Sequence, residues 1–86
     1  MDEAAEQALI DRYIAVDPDD PAPHEARLKD SGTPIWALIG YWEGAGRDMT
    51  RVATDYDVPL EAVQAAVAYY HRHQAPIDAK LLLGAA

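Results

Sequence analysis

Apolar residues between Met49 and His73 recur with a period near 3.6 residues, in two segments. The repeating positions are Met49, Val52, Ala53 and Tyr56 in the first segment and Leu60, Val63, Val67 and Tyr70 in the second. This spacing places each set on one face of a helix. Asp57-Val58-Pro59 interrupts the pattern, so we predict helices over 48–56 and 60–73 joined by a turn of about three residues. Asp48 suits the N-cap of the first helix, and Pro59 suits the start of the second.

The residues in and around this turn also have a characteristic spacing. Ala53 is small enough for two helix axes to approach closely, and Asp57, four residues later, suits a left-handed backbone that redirects the chain. Val58 and Val63 then fill the angle between the helices. This arrangement is similar to the signature of DNA-binding helix-turn-helix motifs, although Gly is the usual residue at the position of Asp57.

Residues 35–42 contain no charged side chain, and Pro34 precedes them at a position that suits a helix start. A helix that is apolar all round is expected to be buried all round. We therefore predict that 35–42 is the central helix, covered by 48–56 and 60–73 on one side and by residues 1–30 or a second subunit on the other. Trp36 and Trp42 face different directions, which favours core packing or, for the outermost of the two, a partner contact.

The N-terminal third is predicted to hold one long helix over residues 2–16. Its apolar stripe comprises Ala5, Leu9, Ile10, Tyr13, Ile14 and Val16. Three prolines between 17 and 23 end it in an acidic linker, which lacks the Gly and distal Glu of a calcium loop. Residues 24–30 suggest a short helix with a Glu25–Lys29 pair, and the stretch near 27–31 is the place where an extended segment is most expected.

The C-terminal tail, 76–86, is predicted to form another helix that begins at Pro76 and ends at Gly84. Ile77 and Leu81 share one face of it. Three consecutive leucines spread over some 200°, so one of them must point away from the domain. We expect this tail to carry part of a partner contact while adding little to the stability of residues 32–73.

These elements predict an all-α fold, a small helical domain of four to five helices around a helix-turn-helix. The expected organisation is an N-terminal helix and acidic Pro-rich linker (1–23), a helix-turn-helix core (24–75) and a C-terminal helical tail (76–86).

Charge changes the functional picture. The chain has 15 acidic and 7 basic residues, a net charge of −8, of which −6 falls on residues 1–30. Because nucleic acid is bound chiefly through Lys and Arg, an acidic chain is a poor DNA binder alone and suits a basic protein partner. The absence of cysteine, of a signal-like N-terminus and of a membrane-length apolar run favours a cytoplasmic protein.

Catalytic chemistry finds little support in the sequence. His71 and His73 lie two residues apart on a helix and so point apart, and His24 is remote from both. No Ser-His-Asp pattern and no phosphate-binding glycine loop occurs. We therefore expect no catalytic residues, no metal site and no cofactor, and we do not expect an enzyme.

Two sets of residues are candidates for binding. The outward face of 60–73 is the candidate reading surface and carries Glu61, Gln64, Ala65, Ala68, Tyr69 and Arg72. This alanine-rich face with Tyr69 suits packing against protein equally well. The weak DNA-binding candidates are Arg47, Arg51, Gln64 and Arg72; Gln64 suits an adenine edge and Arg72 a guanine or a phosphate. The partner-binding candidates are Tyr69, Lys80, Leu81, Leu82 and Leu83, since an exposed leucine near a chain end fits a partner groove.

Several runs of residues together resemble a known family. These runs are 25–28, 32–41, 52–56, 59–70 and 77–79, and the longest reads Pro-Leu-Glu-Ala-Val-Gln-Ala-Ala-Val-Ala-Tyr-Tyr. They are similar to domain-of-unknown-function family 433, the VapB-type antitoxins. The resemblance implies a homeodomain-like helix-turn-helix fold, a partner toxin similar to PIN-type metal-dependent ribonucleases, and autoregulation of the operon through DNA.

Three functions stay open at this point. The first is the antitoxin of a type II toxin-antitoxin module, which binds a basic PIN-like ribonuclease, forms a homodimer and meets operator DNA only with toxin bound. The second is a stand-alone helix-turn-helix transcriptional regulator, and the third a small homodimeric protein-interaction module. A neighbouring reading frame for a basic PIN-like protein would favour the first, and retention on operator DNA by the chain alone would favour the second. No membrane association is expected for any of them.

Overall fold

Five α-helices account for most of the chain in a computed structural model that describes residues 2–85. The helices are α1 (Glu3–Tyr13), α2 (Ile35–Gly44), α3 (Met49–Tyr56), α4 (Leu60–Arg72) and α5 (Gln74–Ala85). Two short strands, β1 (Ile14–Ala15) and β2 (Arg27–Leu28), pair antiparallel, and Pro23–Glu25 forms one turn of 3-10 helix. The predicted all-α class with four or five helices is confirmed.

Helix α1 is shorter than the predicted helix over 2–16. Asp2 caps it, because its carboxylate accepts a hydrogen bond of 2.7 Å from the amide of Ala5. The chain becomes extended at Ile14, a β-branched residue that favours extended backbone, and Ile14 pairs with Leu28. Both side chains point into the core, with exposures of 6% and 3%. Strand pairing therefore replaces the last turn that the apolar stripe predicted.

The segment between the two strands contains no helix of the predicted length. Only Pro23–Glu25 turns helically, so the helix expected over 24–30 is wrong, whereas the extended stretch expected near 27–31 is confirmed for Arg27–Leu28. Lys29 does not pair with Glu25. Its ammonium group donates a 2.6 Å hydrogen bond to the backbone carbonyl of Asp11 in α1.

Helix α2 ends in a reversal built on Gly46. The amide of Gly46 donates to the Glu43 carbonyl and the amide of Arg47 to the Trp42 carbonyl, at 3.3 and 2.8 Å, which is the Schellman pattern. Gly46 and Arg47 both have positive φ, 73° and 62°. Caps of this kind often include a side-chain contact across the reversal. Here the Arg47 guanidinium lies 5.4 Å from the centre of the Trp42 ring.

The turn between α3 and α4 has the backbone that the sequence predicted. Asp57 is left-handed, with φ 55° and ψ 50°. The amide of Val58 donates to the Ala53 carbonyl at 3.0 Å and that of Asp57 to the Thr54 carbonyl at 3.3 Å, again a Schellman pattern. Asp48 caps the start of α3 through the amide of Arg51, also as predicted.

The centre of the core is α4, not α2. Eight residues of α4 are buried: Ala62, Val63, Ala65, Ala66, Val67, Ala68, Tyr69 and Tyr70. On α2 the buried residues are Ile35, Leu38, Ile39 and Trp42. Tyr41 is exposed and its hydroxyl donates to Asp55, so the expectation that α2 is buried on every side is wrong. A tyrosine can satisfy its hydroxyl at the surface while its ring packs, here against Tyr56 at 5.3 Å between ring centres.

Helix α5 is part of the domain and not an appended tail. Ile77 is fully buried in the core, and Gly84 lies against the Trp36 ring. The helix begins at Gln74, two residues before the predicted start, and includes Gly84. Pro76 is tolerated because it lies in the first turn, where amide groups have no partner within the helix. The expectation that 76–86 contributes little to stability is therefore wrong for Ile77.

We expect Ile77→Ala to lower the free energy of unfolding by about 2–5 kcal/mol, because it leaves a cavity in a closed part of the core. The matched control is Leu83→Ala on the same helix, where the side chain is 75% exposed; its effect should stay within about 0.5 kcal/mol. Urea denaturation of both variants measures the difference. Equal stabilities would show that α5 does not pack on the domain.

Candidate functional site

The outward face of α4 is covered by α1. Three of the side chains predicted to form a reading surface, Ala65, Ala68 and Tyr69, are only 0%, 6% and 5% exposed. Alanines on α4 let α1 approach closely, and Ile10 of α1 joins the same buried cluster. Base edges cannot reach side chains that another helix covers, so the prediction of this face as a reading surface is wrong for the described structure.

Arg72 links the end of α4 to α1 through hydrogen bonds and an ion pair. Its guanidinium donates to the Gln7 side-chain oxygen at 2.5 Å and to the Glu3 carbonyl at 3.2 Å, and it lies 3.4 Å from the Glu6 carboxylate. A second polar contact lies at the other end of the helix pair, where the Tyr13 hydroxyl donates to Glu61 at 3.2 Å. Arg72 was predicted to contact DNA; its donors instead bind α1.

The two other candidate arginines are held on separate elements. Arg51 is exposed on α3, with its Nε 3.6 Å from the Asp55 carboxylate. Arg47 lies over Trp42 in the loop after α2. Gln64, the fourth candidate, is half-buried beside Ala5 and Leu9 of α1. The structure therefore does not gather Arg47, Arg51, Gln64 and Arg72 into one basic surface.

Tyr69 lies inside the domain and not on a free partner-binding surface. Its ring contacts the His73 ring, with 4.4 Å between their centres, and burial raises the pKa of its phenol above the ordinary value. The same residues line an open groove of about 690 Å³ between α1, β1 and the end of α4. The prediction that Tyr69 contacts a partner is not compatible with its position under α1.

The last turns of α5 separate the three consecutive leucines. Leu81 is half-buried against α2, where a Cβ on Gly40 would come within 2.9 Å of its Cδ2 atom. Leu82 and Leu83 are 74% and 75% exposed. The 100° rotation per residue explains why the three diverge, and two of them, not one, point away from the domain. Leu81 is therefore a packing residue, and Leu82 and Leu83 are the exposed pair.

Lys80 lies beside this pair but turns toward α2. Its Nζ is 5.4 Å from the centre of the Trp36 ring, a cation–π contact on a half-buried side chain. Gly84 packs on the same ring so closely that a Cβ added at this residue would lie 3.3 Å from a ring carbon. Trp36 is thus the outer of the two tryptophans, covered by α5 of the same chain.

Tyr70 and Asp78 form a polar contact that the sequence patterns did not predict. The Tyr70 hydroxyl donates to the Asp78 carboxylate at 2.6 Å across the junction of α4 and α5. This hydrogen bond, with burial and the negative charges of Asp78 and Glu43, raises the pKa of Tyr70 to about 12. An eight-residue spacing fits no single helix, so the pair becomes visible only when the bend after Arg72 is known.

Among residues 2–85, no three His, Asp or Glu side chains come close enough together to hold a metal ion. Asp17, Asp19 and Asp20 lie in an exposed turn in which Asp17 accepts a hydrogen bond from the amide of Asp19. Within the same range, no helix has the length and apolar character needed to cross a bilayer.

Comparison with known proteins adds no relative: no family model, curated protein or solved structure matches the chain.

The raised pKa of Tyr70 predicts a loss of stability at high pH. Folding favours the protonated phenol, so its contribution is complete below the ordinary pKa of 10.0 and is lost as pH rises toward about 12. Tyr70→Phe should therefore show a shallower fall in unfolding free energy between pH 10 and 12 than the wild type. Tyr56→Phe, on a half-buried ring, is the control, and urea midpoints across this range test the difference. Parallel curves for wild type and Tyr70→Phe would contradict it.

Proposed function

We propose that this protein is the antitoxin of a type II toxin-antitoxin module and that it neutralises a basic PIN-like ribonuclease through the outer face of α5. The observation that carries the proposal is the pair Leu82 and Leu83, which project from the domain beside one another. The resemblance of residues 25–80 to VapB-type antitoxins supports the same function and supplies the class of partner.

An exposed pair of leucines favours a protein partner. Two neighbouring leucines at 74% and 75% exposure are the most exposed large apolar side chains among residues 2–84. Covering them removes apolar surface from water, a contribution of about 25 cal/mol per Å². Since α5 is anchored by Ile77 and Leu81, it presents the pair on a pre-formed helix, which reduces the entropy lost on binding.

The charge of the chain favours a basic partner. A net charge of −8 on 86 residues attracts a cationic surface and accelerates its association. A ribonuclease that binds a phosphate backbone has such a surface. The stand-alone regulator receives less support, because α1 covers the face of α4 that would read DNA.

We expect Leu82→Asp and Leu83→Asp each to weaken the complex with the ribonuclease by about tenfold or more, because each places an unpaired charge in an apolar contact. The partner to use is the purified product of the adjacent reading frame. Calorimetric titration measures the affinity, and cleavage of a labelled RNA measures neutralisation.

Leu60→Asp is the matched control for these variants. Leu60 is 42% exposed at the start of α4, where a negative charge is compatible with the helix dipole. It adds the same charge at another exposed leucine and should leave the complex unchanged. A neighbour that does not bind, or that binds all three variants like the wild type, would contradict the proposal. A homodimer dispersed by Leu82→Asp would indicate the interaction module in its place.

The protein alone should bind its own promoter no more tightly than about 1 μM at about 0.15 M salt. The reason is that Arg72 is bound to α1 and the acidic charge of the chain repels phosphate. Fluorescence anisotropy with a labelled promoter fragment measures the affinity. Tighter binding by the isolated chain would restore the stand-alone regulator, whereas tightening only when the ribonuclease is added supports regulation by the complex.

A further inference from the structure

We propose that the groove between α2 and α5 receives an arginine side chain from an amphipathic helix of the partner protein. The inference deepens the proposed function, on which it rests for the identity of the partner. It concerns a part of the surface adjacent to the exposed leucine pair, and it assigns the chemistry of what that surface binds.

The groove has walls from three helices. Gly40 and Glu43 of α2 form one side, Asp78, Leu81 and Leu82 of α5 form the other, and Tyr70 of α4 lies between them. Its volume is about 570 Å³, within the usual range for binding clefts. Because Gly40 has no side chain, Leu81 can approach α2 closely. The bottom of the groove is therefore apolar. Leu82 is shared by the groove and the exposed pair, so the two surfaces are continuous.

Two carboxylates stand at this groove, and neither has a cationic partner among the described residues 2–85. Glu43 is exposed, and Asp78 is half-buried and held in position by the hydroxyl of Tyr70. Both carboxylates line the same groove, beside Tyr70. The nearest cation on α5, Lys80, lies instead over Trp36. The groove thus combines apolar walls with uncompensated negative charge.

Arginine matches this combination. Its guanidinium presents five donors in a planar fork that binds carboxylates, and its aliphatic stem packs against apolar walls such as those of Leu81 and Leu82. Among residues 2–85, no third His, Asp or Glu joins these two carboxylates in a metal-binding cluster. A second copy of the chain is a poorer fit, because two acidic chains repel and its arginines already have contacts within their own chain. Arg51 and Arg72 pair with carboxylates. Arg12, Arg27 and Arg47 lie against Tyr13, the Gly32 carbonyl and Trp42.

A helix is the form of partner segment that suits the groove. Asp78, Leu81 and Leu82 occupy positions i, i+3 and i+4 on α5, and Gly40 and Glu43 occupy i and i+3 on α2. Each set follows one face of its helix, so the groove runs between two helical ridges. An amphipathic helix fits such a groove by its apolar face, with the arginine in that face directed at the carboxylates.

The test uses the intact 86-residue chain, labelled with ¹⁵N, and two synthetic peptides. One is a short amphipathic helix of leucine and alanine with a single arginine in its apolar face. The other carries citrulline, an uncharged isostere, at that position. We expect the arginine peptide to shift the amide signals of Gly40, Glu43 and Leu82, and the citrulline peptide to bind about fivefold more weakly.

Glu43→Gln and Asp78→Asn should each remove most of this preference for arginine. Glu3→Gln and Asp30→Asn, which change exposed carboxylates outside the groove lining, should leave it intact. Glu43 is exposed, so its substitution does not endanger folding. Equal binding of the two peptides, shifts confined to residues outside the groove, or no binding at all would each overturn the proposal.

The same variants separate this inference from the proposed function. If the adjacent ribonuclease binds and Leu82→Asp weakens it while Glu43→Gln and Asp78→Asn do not, the arginine site is wrong and the antitoxin function stands. If the arginine peptide binds as expected but the ribonuclease does not, the groove is correct and the antitoxin function is wrong. Weakening of the ribonuclease by Glu43→Gln as well as by Leu82→Asp supports both.

Discussion

The enclosure of α4 is the constraint on which the rest of the structure depends. This helix is buried along most of its length, and four of its eight buried residues are alanines. Small side chains contribute little apolar area by themselves, so the helix is stable only when larger residues reach over it from several sides. Ile10, Ile39, Val52 and Ile77 do so from four different helices. Each of the other helices is therefore a wall of one core and not an independent unit.

Local signals predicted the middle of the chain well. The period of α3, the cap at Asp48, the left-handed residue Asp57 and the start of α4 after Pro59 all depend on neighbours within a few residues. Sequence patterns report such short-range preferences directly. The replacement of the last turn of α1 by a strand depends on pairing with Leu28, fourteen positions later. A residue pattern within α1 cannot contain that information.

The candidate binding surfaces show the same limit of short-range sequence patterns. Helical rotation predicted that the three leucines diverge, but which of them packs is decided by Gly40 on another helix. Tyr69 and Arg72 were expected outside because they lie opposite the apolar stripe of α4. They are covered because α4 has a second apolar face made of alanines, which a hydrophobic period counts only weakly. The sequence revealed the apolar stripe of α1, but it did not reveal the alanine face of α4 on which that stripe packs.

The contact of α1 with α4 has a consequence for biosynthesis. Arg72 joins residues 65 to 69 positions earlier in the chain, so α1 leaves the ribosome long before its binding site exists. At typical elongation rates the interval is about 3–13 s. An eleven-residue helix is marginal by itself in water, so the acidic N-terminus waits largely unfolded during that time. Helix α1 is thus synthesised before α4 but is ordered only after it, and it remains accessible to cellular proteases until α4 is complete.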